Sequence, residues 1–440
     1  MRLPLIFAAL VALSACAPTA QVSKNRPTYE VGIGFGQPGT APVSAGLSTG
    51  SSLTRDFLDL TFAMESGRGL ETFSRFEGPV TVALSGKVPA QAGRDLAVLI
   101  ERLRREAGID ISPASGSATI TVEFAPRSEL RRLAPTAACF VVPNVSSLAE
   151  YRKKRGTDAV DWAQVTQRER AAIFIPADTS PQEVRDCLHE ELAQALGPLN
   201  DLYRLPDSVF NDDNFHSVLT GFDMEILRLT YSPRLVSGMS RDEVAARLGA
   251  SVGMIGLGST PPDWTRAIET ALGRNGSLPA RKAAAERALS IALASGWTDS
   301  RMAFSYFAVG RLMAGSEPDR AFDAFEHAAD VYARQPGGAL QVAHVDMQLA
   351  AMALAGGLAE EAVRLTDRAI PVVRQHENAA LLATLMLVKA EALEELGNPG
   401  AAAALRMDSA PYARYGFGSD SVVKARIRDI AAVADRAAKG

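Results

Sequence analysis

A chain of 440 residues, 47% hydrophobic and 22% charged, has room for two or three domains and the composition of globular material rather than of a disordered or fibrous chain. Its net charge of −4, from 46 basic and 50 acidic side chains, gives no electrostatic footprint for nucleic acid. The basic run Arg152-Lys153-Lys154-Arg155 is too short to change that and reads as a solvated loop.

The chain opens with Arg2 and an apolar stretch from Leu3 to Leu13, too short to span a bilayer, so residues 1–16 read as a signal peptide. Leu13-Ser14-Ala15-Cys16 resembles a bacterial lipobox, in which the cysteine is diacylated and becomes the mature N-terminus; ordinary cleavage near Ala15 is the alternative. The lipobox resemblance implies anchoring of a cell-envelope protein through the Cys16 lipid, on the periplasmic face of a Gram-negative bacterium. Ala17, rather than Asp, after that cysteine implies the outer membrane. In that oxidising compartment the remaining Cys139 and Cys187 are expected as a disulfide, with two free thiols as the alternative. Residues 17–50, rich in Pro, Gly, Ser, Thr and Ala, read as a flexible tether. Gly32, Gly34 and Gly36 within it form no phosphate loop, since no strand precedes them and no helix follows.

The first folded domain is expected over 51–260. It starts with a helix over 52–60, followed by a strand at Val80–Leu84 with period-two alternation. A helix over 90–107 carries Leu96, Leu99, Ile100 and Leu103 at helical spacing. Strands are predicted over 118–124, 138–142 and 171–175.

The stretch from Ser180 to Asp201 organises the rest. Ser180 and Glu183 predict a capping box, Pro181 suits the first helical position, and Gly197 is expected to end the helix in the left-handed conformation. Val184, Leu188, Leu192 and Ala195 form an apolar stripe, while Glu190 and Gln194 share another face. Glu190-Glu191-Leu192-Ala193-Gln194-Ala195-Leu196-Gly197-Pro198-Leu199-Asn200-Asp201 resembles the active-site motif of the metzincin metallopeptidases, H-E-x-x-H-x-x-G-x-x-H followed by Asp. Glu191 stands at the general-base position, and Gly197 and Asp201 at the turn positions. The three zinc-binding positions are occupied by Glu190, Gln194 and Asn200. Ser208-Val209-Phe210-Asn211-Asp212 stands where a matrixin-like member carries its Met-turn, with Phe210 at the Met position, and Leu219 to Tyr231 looks like the helix after it. The E-E-x-x-Q-x-x-G-x-x-N-D pattern is similar to that of bacterial envelope proteins of the DUF2927 type. The resemblance implies an α+β zincin-like domain with a mixed sheet and an active-site-type helix. The order strand, helix, three strands, motif helix agrees with it.

From about residue 261 to 440 the composition shifts to Ala-rich helices. Ala321-x-x-x-Phe325-x-x-Ala328 recurs 41 residues later as Ala362-x-x-x-Thr366-x-x-Ala369, and Gly310, Gly356 and Gly397 fall in or after helices. This resembles a degenerate tetratricopeptide-like array of some eight helices, with an irregular bundle as the alternative. A protein partner is expected on its concave face.

A catalytic zinc needs three protein ligands, mostly imidazoles, and an open position for water. One carboxylate and two amides suit a hard cation such as calcium or magnesium better than zinc, and no cofactor is expected. His189 lies about 100° around the helix from Glu190 and cannot join that face, and nothing in the sequence places His216 there. The expected function is therefore a lipid-anchored binding or assembly module, not an enzyme. The alternative is a peptidase-like hydrolase with unusual or no metal, in which Glu191 activates water and Glu190 has a raised pKa. A third reading keeps the helix as ordinary amphipathic structure in an envelope scaffold.

Overall fold

The computed structural model describes residues 50–249, 261–273 and 276–437. Cys16, residues 17–49 of the expected tether and the expected domain boundary at 260 lie outside the described residues. Among the described residues, no helix is long and apolar enough to cross a membrane.

A mixed five-stranded sheet forms the first domain. Helix α1 spans Gly50–Thr61 and leads into strand β1, Val80–Gly86. Helix α2, Ala92–Arg102, continues in a wider turn over Leu103–Ala107 and ends at the left-handed Gly108. Strands β2, Ile111–Pro113, and β3, Ile120–Ala125, follow, then a short helix α3, Arg127–Leu130. Strand β4 spans Phe140–Pro143, helix α4 Leu148–Lys154 and strand β5 Ala171–Pro176. The sheet order is β2-β1-β3-β5-β4, parallel throughout except for β4, which runs antiparallel along the edge with Val141 opposite Ile173. Every residue of β5 is buried, as its continuous apolar run requires of a strand covered on both faces.

The sequence predicts four strands, and the described residues form five. The missed strand, β2, offers three residues of which only Ile111 is fully buried, too few to show a period. The basic run at 152–155 is not a loop. Its first three residues form the last turn of α4, where cations meet the helix's carboxyl end, and Lys154 bonds the Asn144 carbonyl.

The motif helix α5, Pro181–Leu196, packs against the sheet through Val184, Leu188, Leu192 and Ala195, all fully buried in one core with β1, β3 and β5. Cys139 and Cys187 are bridged, with Cα atoms 6.0 Å apart, tying the residue before β4 to the second turn of α5. Closing a 48-residue separation this way contributes roughly 2–4 kcal/mol by restricting the unfolded chain. Helices α6, Gly221–Thr230, and α7, Arg241–Arg247, complete the domain.

The second domain has nine helices among the described residues, one more than the sequence suggests. They are α8 (Pro262–Leu272), α9 (Leu278–Ala294), α10 (Ser300–Met313), α11 (Pro318–Ala333), α12 (Ala339–Ala355), α13 (Ala359–Gln375), α14 (Ala379–Glu395), α15 (Pro399–Phe417) and α16 (Asp420–Ala437). Helices α11, α13 and α15 start at 318, 359 and 399, so the unit repeats every 40 or 41 residues. The small residues mark close packing. A side chain at Gly310 would meet the Phe325 ring at 2.8 Å, and Ala321, Ala328, Ala362 and Ala369 are buried.

Helices α10, α12 and α14 are buried on nearly every face, polar residues included. Part of the cover is the first domain's own 203–217 loop. Tyr203 stacks on Phe304 and meets Trp264 edge-on, while Phe215 packs on Phe304, Phe307 and the His344 ring. Beside it, Asn378 and Glu377, at the start of α14, hold the first turns of α5. Gln182 bonds Ser217, Asn378 and the Ala380 amide, and Arg185 bonds both the carboxylate and the carbonyl of Glu377. Glu377 sits at φ 55, a left-handed position that turns both oxygens toward that arginine.

Candidate functional site

The N-terminus of α5 is capped as expected in one half only. The Ser180 hydroxyl accepts from the Glu183 amide, but the Glu183 carboxylate turns to Thr179 and Arg127 instead of back to Ser180.

At the other end, Gly197 ends the helix with φ −168, not in the left-handed region expected of it. Its requirement is steric, because a Cβ would lie 2.8 Å from the Thr230 methyl. The carboxyl end of the helix is fixed by Arg168, which the sequence hides in a charged run. Its guanidinium donates to the carbonyls of Gln194 at 2.6 Å, Ala195 at 2.8 Å and Gly197, and to Ser74. It lies 4.7 Å over the Trp162 ring, and burial pushes its pKa down to about 10. Three carbonyls left without partners by the helix end are satisfied by one side chain.

The turn then folds back onto the end of α1. The amides of Leu199 and Asn200 both donate to the Leu60 carbonyl, and Asn200 Nδ2 donates to the Asp59 carbonyl at 2.9 Å. The Glu65 amide donates to the Leu199 carbonyl, and Gln194 Nε2 donates to Glu65 Oε1 at 2.9 Å. Glu190, Gln194 and Asn200 therefore do not bond one another. Gln194 and Asn200 are both engaged with the 59–65 segment.

The histidines lie elsewhere. His189 is buried, and its Nδ1 accepts from the Leu219 amide at 3.1 Å; burial, then the charges of Arg102 and Arg185, hold its pKa well below the usual value. His216 Nε2 donates to the Pro206 carbonyl at 2.7 Å, beside His376 on the second domain, and burial pushes its pKa down to about 3.

What surrounds Glu190 is carboxyl, not imidazole. Glu65 and Asp212 are exposed, Glu190 and Asp201 half-buried, and Glu191 buried. Burial, then the charges of Glu65, Asp212 and Asp186, raises Glu190 to about 8. Burial, then Glu190 and Glu65, raises Glu191 well above the usual carboxyl range, and Asp201 is raised in the same way. Asp212 is raised to about 6, chiefly by burial and Glu65, and accepts from Tyr203. Asp186, one turn before Glu190 on the same face, is raised to about 8 by burial. Glu191 Oε2 and Asp201 Oδ1 are buried and accept no hydrogen bond. Among the described residues, no three acidic, histidine or cysteine side chains are spaced as ligands of one metal ion. The edge strand β4 also borders a groove of about 420 Å³, lined by Phe140, Val141, Tyr151 and Trp162 among others.

Phe210, at the Met-turn position, is fully buried in the same core as α5. The loop around it is pinned by Asp223, which accepts from the Ser208 hydroxyl at 2.6 Å and the Val209 amide at 3.1 Å. Asp223 also closes a capping box with Thr220 at the start of α6.

Glu65 and Asp212, the asparagine-to-α1 contact and Arg168 are not legible as site residues in the sequence. Both carboxyls sit in loops with no period, and only the fold brings them to α5. No curated protein and no solved structure matches the chain. Residues 50–250, which span the sheet domain from α1 past α7, match the model of the family described as "Protein of unknown function (DUF2927)".

Proposed function

We propose that this chain is a lipid-anchored cell-envelope protein whose sheet domain is a metallopeptidase-like scaffold turned to binding or assembly. The observation that carries the reading is the donor set. The three ligand-equivalent positions hold Glu190, Gln194 and Asn200, and both amides are engaged with Glu65 and the Asp59 carbonyl. Zinc chemistry of the metzincin type needs imidazoles at those positions, and the nearest one, His189, points to the Leu219 amide. The zincin-like reading is supported by the mixed sheet with its antiparallel edge strand, by α5 following β5, and by the buried 208–212 loop.

The repeated helices fit a tetratricopeptide-like array with its inner row, α10, α12 and α14, set against the sheet domain. A protein partner then meets the outer row, α11, α13 and α15.

The test is metal content and hydrolysis. Full-length protein purified without chelator is expected to carry substoichiometric zinc and to show no peptidase activity that Glu191→Gln removes. Near-stoichiometric zinc, or hydrolysis lost in that variant, overturns the reading. A second reading, hydrolysis in which Glu191 activates water without a metal, is favoured by one feature: Glu190 beside it is raised to about 8 by burial and the neighbouring carboxyls, as a proton-donating partner requires. The anchor is tested separately. Wild-type protein is expected in the membrane fraction and Cys16→Ser in the soluble fraction, and a soluble wild type sinks it.

A further inference from the structure

Positive charge in the sheet domain is concentrated between residues 127 and 155. This segment carries seven basic and two acidic side chains, a local charge of +5 in a chain whose net charge is −4. No Asp or Glu occurs from Leu130 to Ala149.

The fold gathers these cations on one side of the sheet. Ala172 and Phe174 of β5 face a small core made with Leu130, Leu133, Leu148 and Tyr151 of the α3–α4 layer, while Ala171, Ile173 and Ile175 face the core of α5. The two helices of the layer are joined directly by the ion pair of Arg152 with Glu129. The second domain meets the sheet domain on the opposite side, at the first turns of α5.

Both acids of the segment are neutralised within the layer, Glu129 by Arg152 and Glu150 by Lys154 and Arg170. Arg131, Arg132, Lys153 and Arg155 are exposed and, among the described residues, make no ion pair or side-chain hydrogen bond. Exposed arginines on other helices carry a counter-ion of their own one turn earlier, as Arg228 does with Glu225, Arg266 with Asp263 and Arg364 with Glu361. The loop after α3 exposes Pro135, Thr136, Ala137 and Ala138, which add no negative charge. A surface of one sign fits an extended surface of the other, and each Lys or Arg held at an anionic lipid surface strengthens binding about fivefold.

We propose that the α3–α4 layer docks on an anionic phospholipid surface through Arg131, Arg132, Lys153 and Arg155, fixing how the sheet domain stands on the membrane. This rests on the lipid-anchored reading given above. The anchor alone limits only distance, because the 33 residues between Cys16 and Gly50 have a covalent reach of at most about 120 Å. Four cations on one side of the sheet add a direction. They turn the other side, with α5 and the second domain, away from the bilayer.

The experiment is co-sedimentation of the full-length chain carrying Cys16→Ser with lipid vesicles, so that no acyl group contributes. Vesicles of phosphatidylglycerol and phosphatidylethanolamine are compared with vesicles of phosphatidylcholine. Binding is expected to the anionic vesicles alone at about 20 mM salt, and to be lost at about 0.5 M, where screening shortens the reach of each charge to a few ångströms. Arg131→Gln with Arg132→Gln, and Lys153→Gln with Arg155→Gln, are each expected to weaken binding at least about tenfold. The exposed pair Arg287→Gln with Arg334→Gln, on the second domain, is expected to leave it unchanged. Equal binding to both kinds of vesicle, no binding to the anionic ones, or an equal loss in the control pair overturns the proposal. So does tighter binding to duplex DNA of equal phosphate content, which makes the patch a general polyanion site. Fractionation after a wash at about 0.5 M salt reads the anchor alone. A soluble wild type there removes the anchor reading, whereas failed vesicle binding removes only this inference.

Discussion

Arg168→Ala is expected to lower the stability of the sheet domain by about 3–5 kcal/mol, because it leaves several buried acceptors unpaired at once. The guanidinium serves the carbonyls of Gln194, Ala195 and Gly197 together and lies over Trp162. Removing it leaves three buried oxygens facing a cavity, at the negative end of the helix dipole where a cation is most favourable. Arg168→Lys is expected to recover little, since an ammonium cannot match the planar fork that spans three carbonyls and Ser74. The measurement is the denaturant midpoint followed by tryptophan fluorescence, with exposed Arg131→Ala as the control at under about 0.5 kcal/mol. If Arg168→Ala unfolds with the wild type, the turn after Gly197 is held by something other than this side chain.

The same arginine shows where a sequence can and cannot be read. The apolar stripe of α5, its start at Pro181 and its end before Gly197 follow from local spacing, and the structure keeps all three. The alternating strands β1 and β3 were legible for the same reason. Arg168 was not, because Gln167-Arg168-Glu169-Arg170 is a polar run whose meaning depends on a helix end 26 residues later. Gly197 has a local context that suggests a left-handed cap, while its constraint is Thr230, on another helix. Glu65 meets Gln194 across 129 residues, a partnership that no periodicity encodes. The inner helices α10, α12 and α14 are apolar on most faces, which signals burial, but the identity of what covers them, a loop of the other domain, is a tertiary fact.

The pH dependence of stability is the second large effect, and it has two opposed limbs. Glu190, Asp186 and Asp213 titrate at about 8 in the folded chain and Asp212 at about 6, all raised chiefly by burial. Unfolded carboxyls titrate at about 4. Between those values the folded chain holds more protons, so this contribution is intact below about pH 4, declines as pH rises, and is lost once pH passes about 8. The buried histidines act in the other direction. His216 and His344 are pushed down to about 3 and His376 to about 4, so the unfolded chain holds more protons between those values and about 6.5, and stability falls as pH drops through that window. Above about pH 6.5 only the carboxyl limb remains. Stability is therefore expected to fall from pH 6.5 to pH 9, and Glu190→Gln is expected to flatten that fall by about 2 kcal/mol, since one group titrating at about 8 acts over the part of this range below it at about 1.4 kcal/mol per pH unit. Urea midpoints at half-unit steps over this range measure it, and an alkaline limb of unchanged slope in the variant locates the buried protons somewhere other than Glu190.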